Sequence, residues 1–391
     1  MLKAATVSFF HEDAFRAGRE AARELLDELG APPDLVLLFA SAHLDPERVL
    51  AGVAQEIPPE ARLVGCSSCA EIDGNEALTG SVTLMGIALG AVRCETFRLE
   101  GPVDDPAAAG RAFGERVRAF DPAVVFLFPD GLALNHVQFL QAMQETLGAS
   151  LPIVGGVPSD MAQFVRTTEF EGRSAFSGGV VAAALSGPVD VVTGARAGFQ
   201  PVGSPRTCTR VEGGRRVLEL DGEPALSIYR HYLGPRAAEM PEVGIEFPLG
   251  IVGGTIGNHR LPASEAISLI RAVSGVDEAS DALLCLGEMP EGARVCMTRA
   301  TKEDLLRAAE EACDAALLAM PRPEVAFFFD CMGRKLVLGS RYKEEIRRAF
   351  ARLGDDVPKV GFYTYGEISP VGGVTMYHDQ TFTVALLAER S

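Results

Sequence analysis

Three stretches of this chain share one pattern of apolar and polar positions. In each, an amphipathic helix ends near prolines, a continuous apolar strand follows, and a polar loop leads to a second helix. A Pro-containing turn and a short strand that stops at glycine close the unit. The first helix, about 13–29, sets Phe15, Ala22, Leu25, Leu26 and Leu29 on one face, and "APPD" ends it. "LVLLFA" (35–40) is the strand. Asp45 then caps a helix with Pro46 in its first position, striped by Val49, Leu50, Val53 and Ile57, and "PPEARLVG" arrives at Gly65. The second stretch runs through Phe113, Val117 and Phe120, "AVVFLF" (123–128), and a helix around Phe139, Leu140, Met143 and Leu147, to Gly155-Gly156. In the third, Thr301 caps a helix, "VAFFF" (325–329) is the strand, Ile346, Ala349, Phe350 and Leu353 stripe the next helix, and "VPKVG" ends at Gly361. From strand start to glycine the spans are 30, 31 and 36 residues (35 to 65, 124 to 155, 325 to 361). The β-branched runs "SVTLMGIAL", "SGGVVAAAL" and "QTFTVALL" follow as strands that turn back.

Two strands joined by such a helix are parallel, through a right-handed crossover, and strands apolar on both faces are buried on both. The expected fold is α/β (mixed α+β): repeated α-β-α-β-β units form mixed sheets flanked by helices, in two domains. In such sheets ligands bind beyond the carboxyl ends of the strands, where each glycine loop also emerges. The middle is less regular. "EGGRRVLELDGEPAL" (212–226) carries a Gly-Gly turn between short extended pieces, so the boundary is placed there, giving domains 1–214 and 215–391. Residues 244–300 read as short strands around one helix at 264–273.

A length of 391 residues and 47% hydrophobic content allow two large cores. A net charge of −17 repels a phosphate backbone, and Arg347-Arg348 lies beside Glu344 and Glu345 on a solvated helix face, which argues against nucleic acid. The eight cysteines are scattered through apolar segments, as reduced small hydrophobes are. The opening "MLKAATVSFFHED" has too short an apolar run for a signal peptide, and no segment reaches the length of a membrane span, so a cytoplasmic location without membrane insertion is expected.

Aligning the units favours reading Cys66-x-x-Cys69 as incidental small residues over a metal or redox motif. Cys66 aligns with Phe362 and Cys69 with Tyr365, so neither zinc nor a disulfide is a shared feature, and no second ligand pair completes a metal site. What the units keep is a glycine (Gly65, Gly361) and a carboxylate six residues on (Glu71, Glu367). A buried carboxylate needs donors. Each accepts loop N–H bonds and pins its turn, pairs with a cationic ligand group, or serves as a general acid or base.

These residues resemble a known family. "VGCSSCAEI", "FPDGLALN" and "PIVGGVPSDMAQF" are similar to elements of FIST-N domains. "LELDGEPALSIYRHYLG", "FFFDCMGRKLVLG", "VGFYTYGEISP" and "HDQTFTVALL" resemble those of FIST-C domains, and the order is kept along nearly the whole chain. The matching positions are Gly65, Cys66, Ser67, Ser68, Glu71, Asp130, Gly131, Asn135, Gly155, Gly156, Asp160, Cys331, Arg334, Gly361, Tyr363, Tyr365, Gly366 and Glu367. Pro158-Ser159 stand where Ala-Gly is usual, and Cys69-Ala70 where a small residue and Gly are usual. The resemblance implies an intracellular sensory protein that binds a small ligand, with amino acids as candidates, and signals through a separate partner, without a cofactor.

The expected pocket gathers Ser67, Ser68, Asp130, Asn135, Asp160, Arg334, Tyr363 and Glu367 at the sheet edge, with Gly65, Cys66, Glu71, Gly155, Gly156 and Tyr365 around it. Carboxylates would hold an ammonium, and Arg334 with loop N–H groups a carboxylate. The plainer roles are a rim salt bridge for Arg334 and turn formation for Asp130 and Asn135. Tyr363 and Tyr365 alternate, so one of them faces the pocket. Two other functions compete. One is a hydrolase or transferase with Cys66 or Ser67 as nucleophile and His43 or His136 as base, although no nucleophile elbow, P-loop or HExxH is present. The other is an interaction scaffold without a ligand.

Overall fold

The computed structural model describes residues 1–74, 76–256, 259–261, 267 and 269–390. The first unit runs β1 (Lys3–Phe10), α1 (Ala14–Leu29), β2 (Leu35–Ser41), α2 (Pro46–Glu56), β3 (Arg62–Ser68), β4 (Glu71–Asp73), β5 (Glu76–Leu78) and β6 (Ser81–Ala88). The second repeats this order: β7 (Arg93–Leu99), α3 (Pro106–Arg118), β8 (Val124–Pro129), α4 (His136–Leu147), β9 (Ile153–Gly156), β10 (Glu169–Glu171), β11 (Ser174–Phe176) and β12 (Val180–Ser186). The third opens with β13 (Val189–Arg196).

Residues 197–300 are then inserted as a separate sheet. It holds β14 (Gln200–Glu212), β15 (Arg216–Leu220), β16 (Glu223–Pro224), α5 (Ala225–Leu233), α6 (Glu242–Glu246), β17 (Leu249–Ile256), β18 (His259–Leu261), β19 (Leu269–Arg271), β20 (Val273–Asp277), β21 (Ala282–Cys285) and β22 (Arg294–Arg299). Of the helix expected over 264–273, positions 264–266 and 268 lie outside the described residues, and the rest is corrected: 269–271 is strand β19 and 273 opens strand β20. The third unit resumes with α7 (Lys302–Ala319), β23 (Val325–Cys331), α8 (Met332–Leu338), α9 (Tyr342–Ala351), β24 (Lys359–Thr364), β25 (Glu367–Val371), β26 (Val374–His378) and β27 (Phe382–Glu389).

Local chemistry explains the helix starts. Asp13, Asp45, Asp105 and Asn135 each accept a bond from a first-turn N–H, Pro46 and Pro106 occupy first positions, and Thr301 and Asp304 form a capping box. In each unit the first long strand pairs parallel with the strand after the second helix and antiparallel with the returning strand: β2 with β3 and β6, β8 with β9 and β12, β23 with β24 and β27. The fold is therefore the mixed α/β one that the pattern predicts.

What the pattern does not predict is an exchange of hairpins. Hairpin β4–β5 leaves the first unit and pairs with β24 of the third. Hairpin β10–β11 leaves the second and pairs with β3 of the first, and β25–β26 leaves the third and pairs with β9 of the second. The result is three six-stranded sheets on one plan: β1-β6-β2-β3-β10-β11, β7-β12-β8-β9-β25-β26 and β13-β27-β23-β24-β4-β5. β2, β8 and β23 are buried throughout. Alternate residues (Leu37 and Phe39, Phe126 and Phe128, Phe327 and Phe329) share one core with Val64, Cys66, Val360 and Phe362. Phe39 lies 4.6 Å from Phe362 and Phe126 lies 4.6 Å from Phe327, ring centre to ring centre, in tilted contacts that tie the sheets together.

Candidate functional site

The matched glycines have a backbone reason. A Cβ on Gly65, Gly155 or Gly361 would stand 1.7, 2.1 or 2.0 Å from the carbonyl oxygen of Leu38, Leu127 or Phe328, its partner on the neighbouring parallel strand. Glycine here permits close strand approach inside the sheet. The strands run on past it, to Ser68 and Thr364, so the expected stop at Gly65 and Gly361 is corrected. Gly156 faces Phe362 and Thr364 on the inner side. Cys66 packs in the central core, and burial, then the charges of Glu169 and Glu71, push its thiol well above the ordinary range. That setting opposes a nucleophilic thiolate. His136 is stacked on Tyr377 at 5.3 Å, and burial lowers its pKa to about 4. His43 is exposed.

The carboxylates come as three, one per exchanged hairpin. Glu71 accepts from the hydroxyls of Ser68 and Ser81 and from the Ser81 N–H at 3.2 Å. Glu367 accepts from Thr364 Oγ1 at 2.7 Å and the Thr381 N–H at 3.0 Å. Glu169 accepts from Thr167 Oγ1 and the Gly179 N–H, both at 3.4 Å. All three are fully buried. Each stands opposite an inner residue of the neighbouring unit: Phe362, Gly156 and Cys66 respectively. Burial raises their pKa values, Glu71 to about 7 and the other two well above the carboxylate range. They clamp the exchanged hairpins. Glu169 escaped the sequence comparison because it lies fourteen residues after Gly155 rather than six; "TTEF" after "SSCAEI" and "YGEI" was the available signal.

The segments after the glycines meet. The Ser159 N–H donates to the Ser67 carbonyl at 3.2 Å, and Ser159 Oγ accepts from the Cys69 N–H at 2.9 Å and donates to the Tyr363 carbonyl at 2.7 Å. Beside this junction, a pocket of about 220 Å³ opens at the carboxyl edge of β2 and β3. Its walls include Ser41, Ser67, Thr168 and Phe170, with Asp160, Gln163, Val165 and Arg166 from the loop between β9 and β10. Ser41 is 2% exposed, and its hydroxyl has no hydrogen-bond partner among the described residues. Ser67 Oγ donates to the Ser159 carbonyl at 3.2 Å and accepts from the Thr168 N–H at 3.0 Å.

Asp160 is committed. Its carboxylate accepts from the Phe164, Val165 and Arg166 N–H groups at 2.9, 2.7 and 2.9 Å and from the Tyr365 hydroxyl, which fills its four acceptor positions. Burial opposes its charge, but these bonds hold its pKa below the ordinary range.

The corresponding corners of the other units are filled. In the second, Asp130 accepts from the Leu132 and Ala133 N–H groups at 3.0 and 2.6 Å, Asn135 caps α4, and His136 lies on Tyr377. In the third, Arg334 is wholly buried, paired with Glu345 and with Asp330 at 3.2 Å, and donates to the Leu305 carbonyl at 2.9 Å. Arg334 is thus neither a rim salt bridge nor part of the pocket. Tyr363 is buried under α9 with its hydroxyl toward the Tyr342 carbonyl, and Ser68, Glu71 and Glu367 are spent within their own clamps. Of the expected set, Ser67 and Asp160 line the pocket and Tyr365 adjoins it. Ser41, Gln163, Arg166 and Thr168 were not foreseen, because no spacing rule links a strand end to a loop of another unit. No cluster of metal-ligating side chains occurs among the described residues, and none of the described helices is long and apolar enough to cross a membrane.

The FIST N domain model matches residues 34–223 and the FIST C domain model residues 225–370. Two uncharacterized proteins, Rv0628c of Mycobacterium tuberculosis and Mb0898c of Mycobacterium bovis, are 29% and 28% identical to this chain over 392 and 398 residues. The first match covers 96% of this chain and 97% of the relative, and the second 96% of each. Among solved structures, a cyanuric acid hydrolase from A. caulinodans superposes over the full length of both chains with a TM-score of 0.35 at 9% identity, and a second cyanuric acid hydrolase structure with 0.31 at 10%. Likeness at that level carries no argument about chemistry.

Proposed function

The chain belongs to the FIST family, whose domains are sensory signal-transduction domains, and on that premise we propose that it senses a small ligand held in the pocket at the edge of β2 and β3. The unpartnered, buried Ser41 hydroxyl on the wall of that cavity carries the reading, since a buried polar group without a partner is costly. The volume lies below the roughly 300–1,000 Å³ of drug-sized sites, which favours a molecule of amino-acid size. Arg166 offers a guanidinium to a carboxylate, and the Ser41 hydroxyl offers an acceptor to an ammonium whose charge Asp160, its own acceptor positions filled, complements only at a distance, so an amino acid or similar zwitterion is the proposed class. The signal then passes to a separate partner protein.

Thermal-shift measurements with amino acids, small carboxylic acids and small amines test this. A ligand at a hundredfold its Kd adds about 2.7 kcal/mol of stability. Ser41→Val and Arg166→Gln are expected to abolish the shift while leaving the unliganded Tm nearly unchanged. No stabilisation by any compound, or stabilisation that both variants keep, overturns the reading.

A further inference from the structure

The loop between β9 and β10 has the construction of a lid. Its two ends are fixed. Ser159 is buried and tied to Ser67, Cys69 and Tyr363, and Thr167 is buried with its hydroxyl accepting from the Gly131 N–H at 3.0 Å. Between these anchors Met161 still packs against a core cluster, but the chain beyond it is outside the core: Phe164 is 56% and Val165 76% exposed. The backbone there is also sprung. Met161, Ala162 and Phe164 have φ of +64°, +60° and +52°, a region that residues with a Cβ avoid. One side chain compensates. Asp160 gathers three loop N–H groups, and the Tyr365 hydroxyl both donates to Asp160 and accepts from the Ala162 N–H at 2.9 Å. Phe164 lies on the Tyr365 ring at 4.8 Å, nearly parallel.

We propose that residues 160–166 are a latched lid over the pocket, with the Asp160–Tyr365 contact as the latch. The pocket floor belongs to the first unit, the lid to the second and the latch tyrosine to the third. Releasing Tyr365 frees the Ala162 N–H and one position on Asp160, which keeps its bonds to the Phe164, Val165 and Arg166 N–H groups, so the wall formed by Gln163, Val165 and Arg166 lifts as one piece. A molecule in the pocket touches that wall and so biases the latch, which gives occupancy a structural readout in another unit. The lid deepens the sensor reading, but its test uses no ligand, so a pocket that binds nothing and a loop that does not open are separate failures.

Arg166 is exposed but adjoins the buried Thr167, and its Nε donates to Ser177 Oγ at 2.9 Å, so trypsin cleavage after it is expected to require the lid to open. Tyr365→Phe and Asp160→Asn are expected to speed that cut about ten- to a hundredfold, the range set by losing a hydrogen bond to a charged group. Hydrogen exchange at Ala162, whose N–H donates to the Tyr365 hydroxyl, should accelerate by a similar factor while exchange in β2 stays at the wild-type rate. Phe164→Ala removes only an exposed ring and should act in the same direction, which keeps the test decisive should Tyr365→Phe not fold. Unchanged cleavage at Arg166 in the variants that fold overturns the lid. So does faster exchange shared equally by β2, since that marks global opening.

Discussion

At the scale of single residues, the buried carboxylates of this protein are held by hydrogen bonds rather than by water. Glu71 shows the consequence for pH. Its folded pKa stands near 7, against an ordinary value of 4.5, because burial outweighs the bonds from Ser68 and Ser81 and the charge of Lys335. The folded state therefore holds a proton that the unfolded chain has released once the pH exceeds 4.5. Stability is fully present below that pH and is lost progressively as the pH rises toward and through 7, by about 3 kcal/mol for this one group. Glu71→Gln keeps an acceptor for Ser81 and cannot ionise, so its stability in urea should change less between pH 5 and pH 8 than that of the wild type. Equal slopes for the two proteins would show that Glu71 is charged throughout. Glu169 and Glu367 are shifted in the same direction and leave a residual slope in the variant.

At the scale of elements, what was legible in the sequence is what is local. Strands apolar on both faces, Asp and Thr caps with Pro at the first turn, and the helical stripes each depend on neighbours a few residues away, and the strands and helices follow them. The glycine-to-glutamate spacing was legible for the first and third units and hidden in the second, where the lid is inserted between Gly156 and Glu169. Pairing partners were not legible: nothing in the three residues of β4 says that they join β24 rather than β6. Arg334 misled for a related reason, since a lone arginine after a strand gives no sign of the carboxylates that will surround it. In the fold it joins α8 to β23 through Asp330, to α9 through Glu345 and to α7 through the Leu305 carbonyl. Burial and the neighbouring Glu345 push the Asp330 carboxyl well above its ordinary range, and Arg334 works against them. Arg334→Met leaves Glu345 buried without its counter-ion and should cost about 3–5 kcal/mol in urea unfolding. Replacing Asp330, Arg334 and Glu345 together by apolar residues should recover most of that loss. A single variant as stable as the wild type would show that the cluster contributes nothing.

At the scale of the whole molecule, the cyclic exchange of hairpins makes the three sheets one cooperative object. No sheet is completed by its own unit: each ends in a hairpin supplied by another, and each such hairpin carries one of the buried glutamates. The turn at Gly213-Gly214, between β14 and β15, is the natural place to divide the sequence, yet β13 before it pairs along its length with β27 after it. Residues 1–214 alone hold the whole first sheet but lack the strands that cover β9 and receive β4. Residues 215–391 alone lack both outer partners of the third sheet. Exposed strand edges of this kind drive aggregation. The two pieces expressed separately should therefore be insoluble or unfolded by circular dichroism, and together they should form a 1:1 complex that melts in one transition. A cooperative melt from residues 1–214 alone would mean that β4–β5 and β9 find other partners. The exchange would then be a late docking of finished domains rather than the condition for folding, and the lid and its latch tyrosine, which come from opposite sides of that division, would be brought together only at that last step.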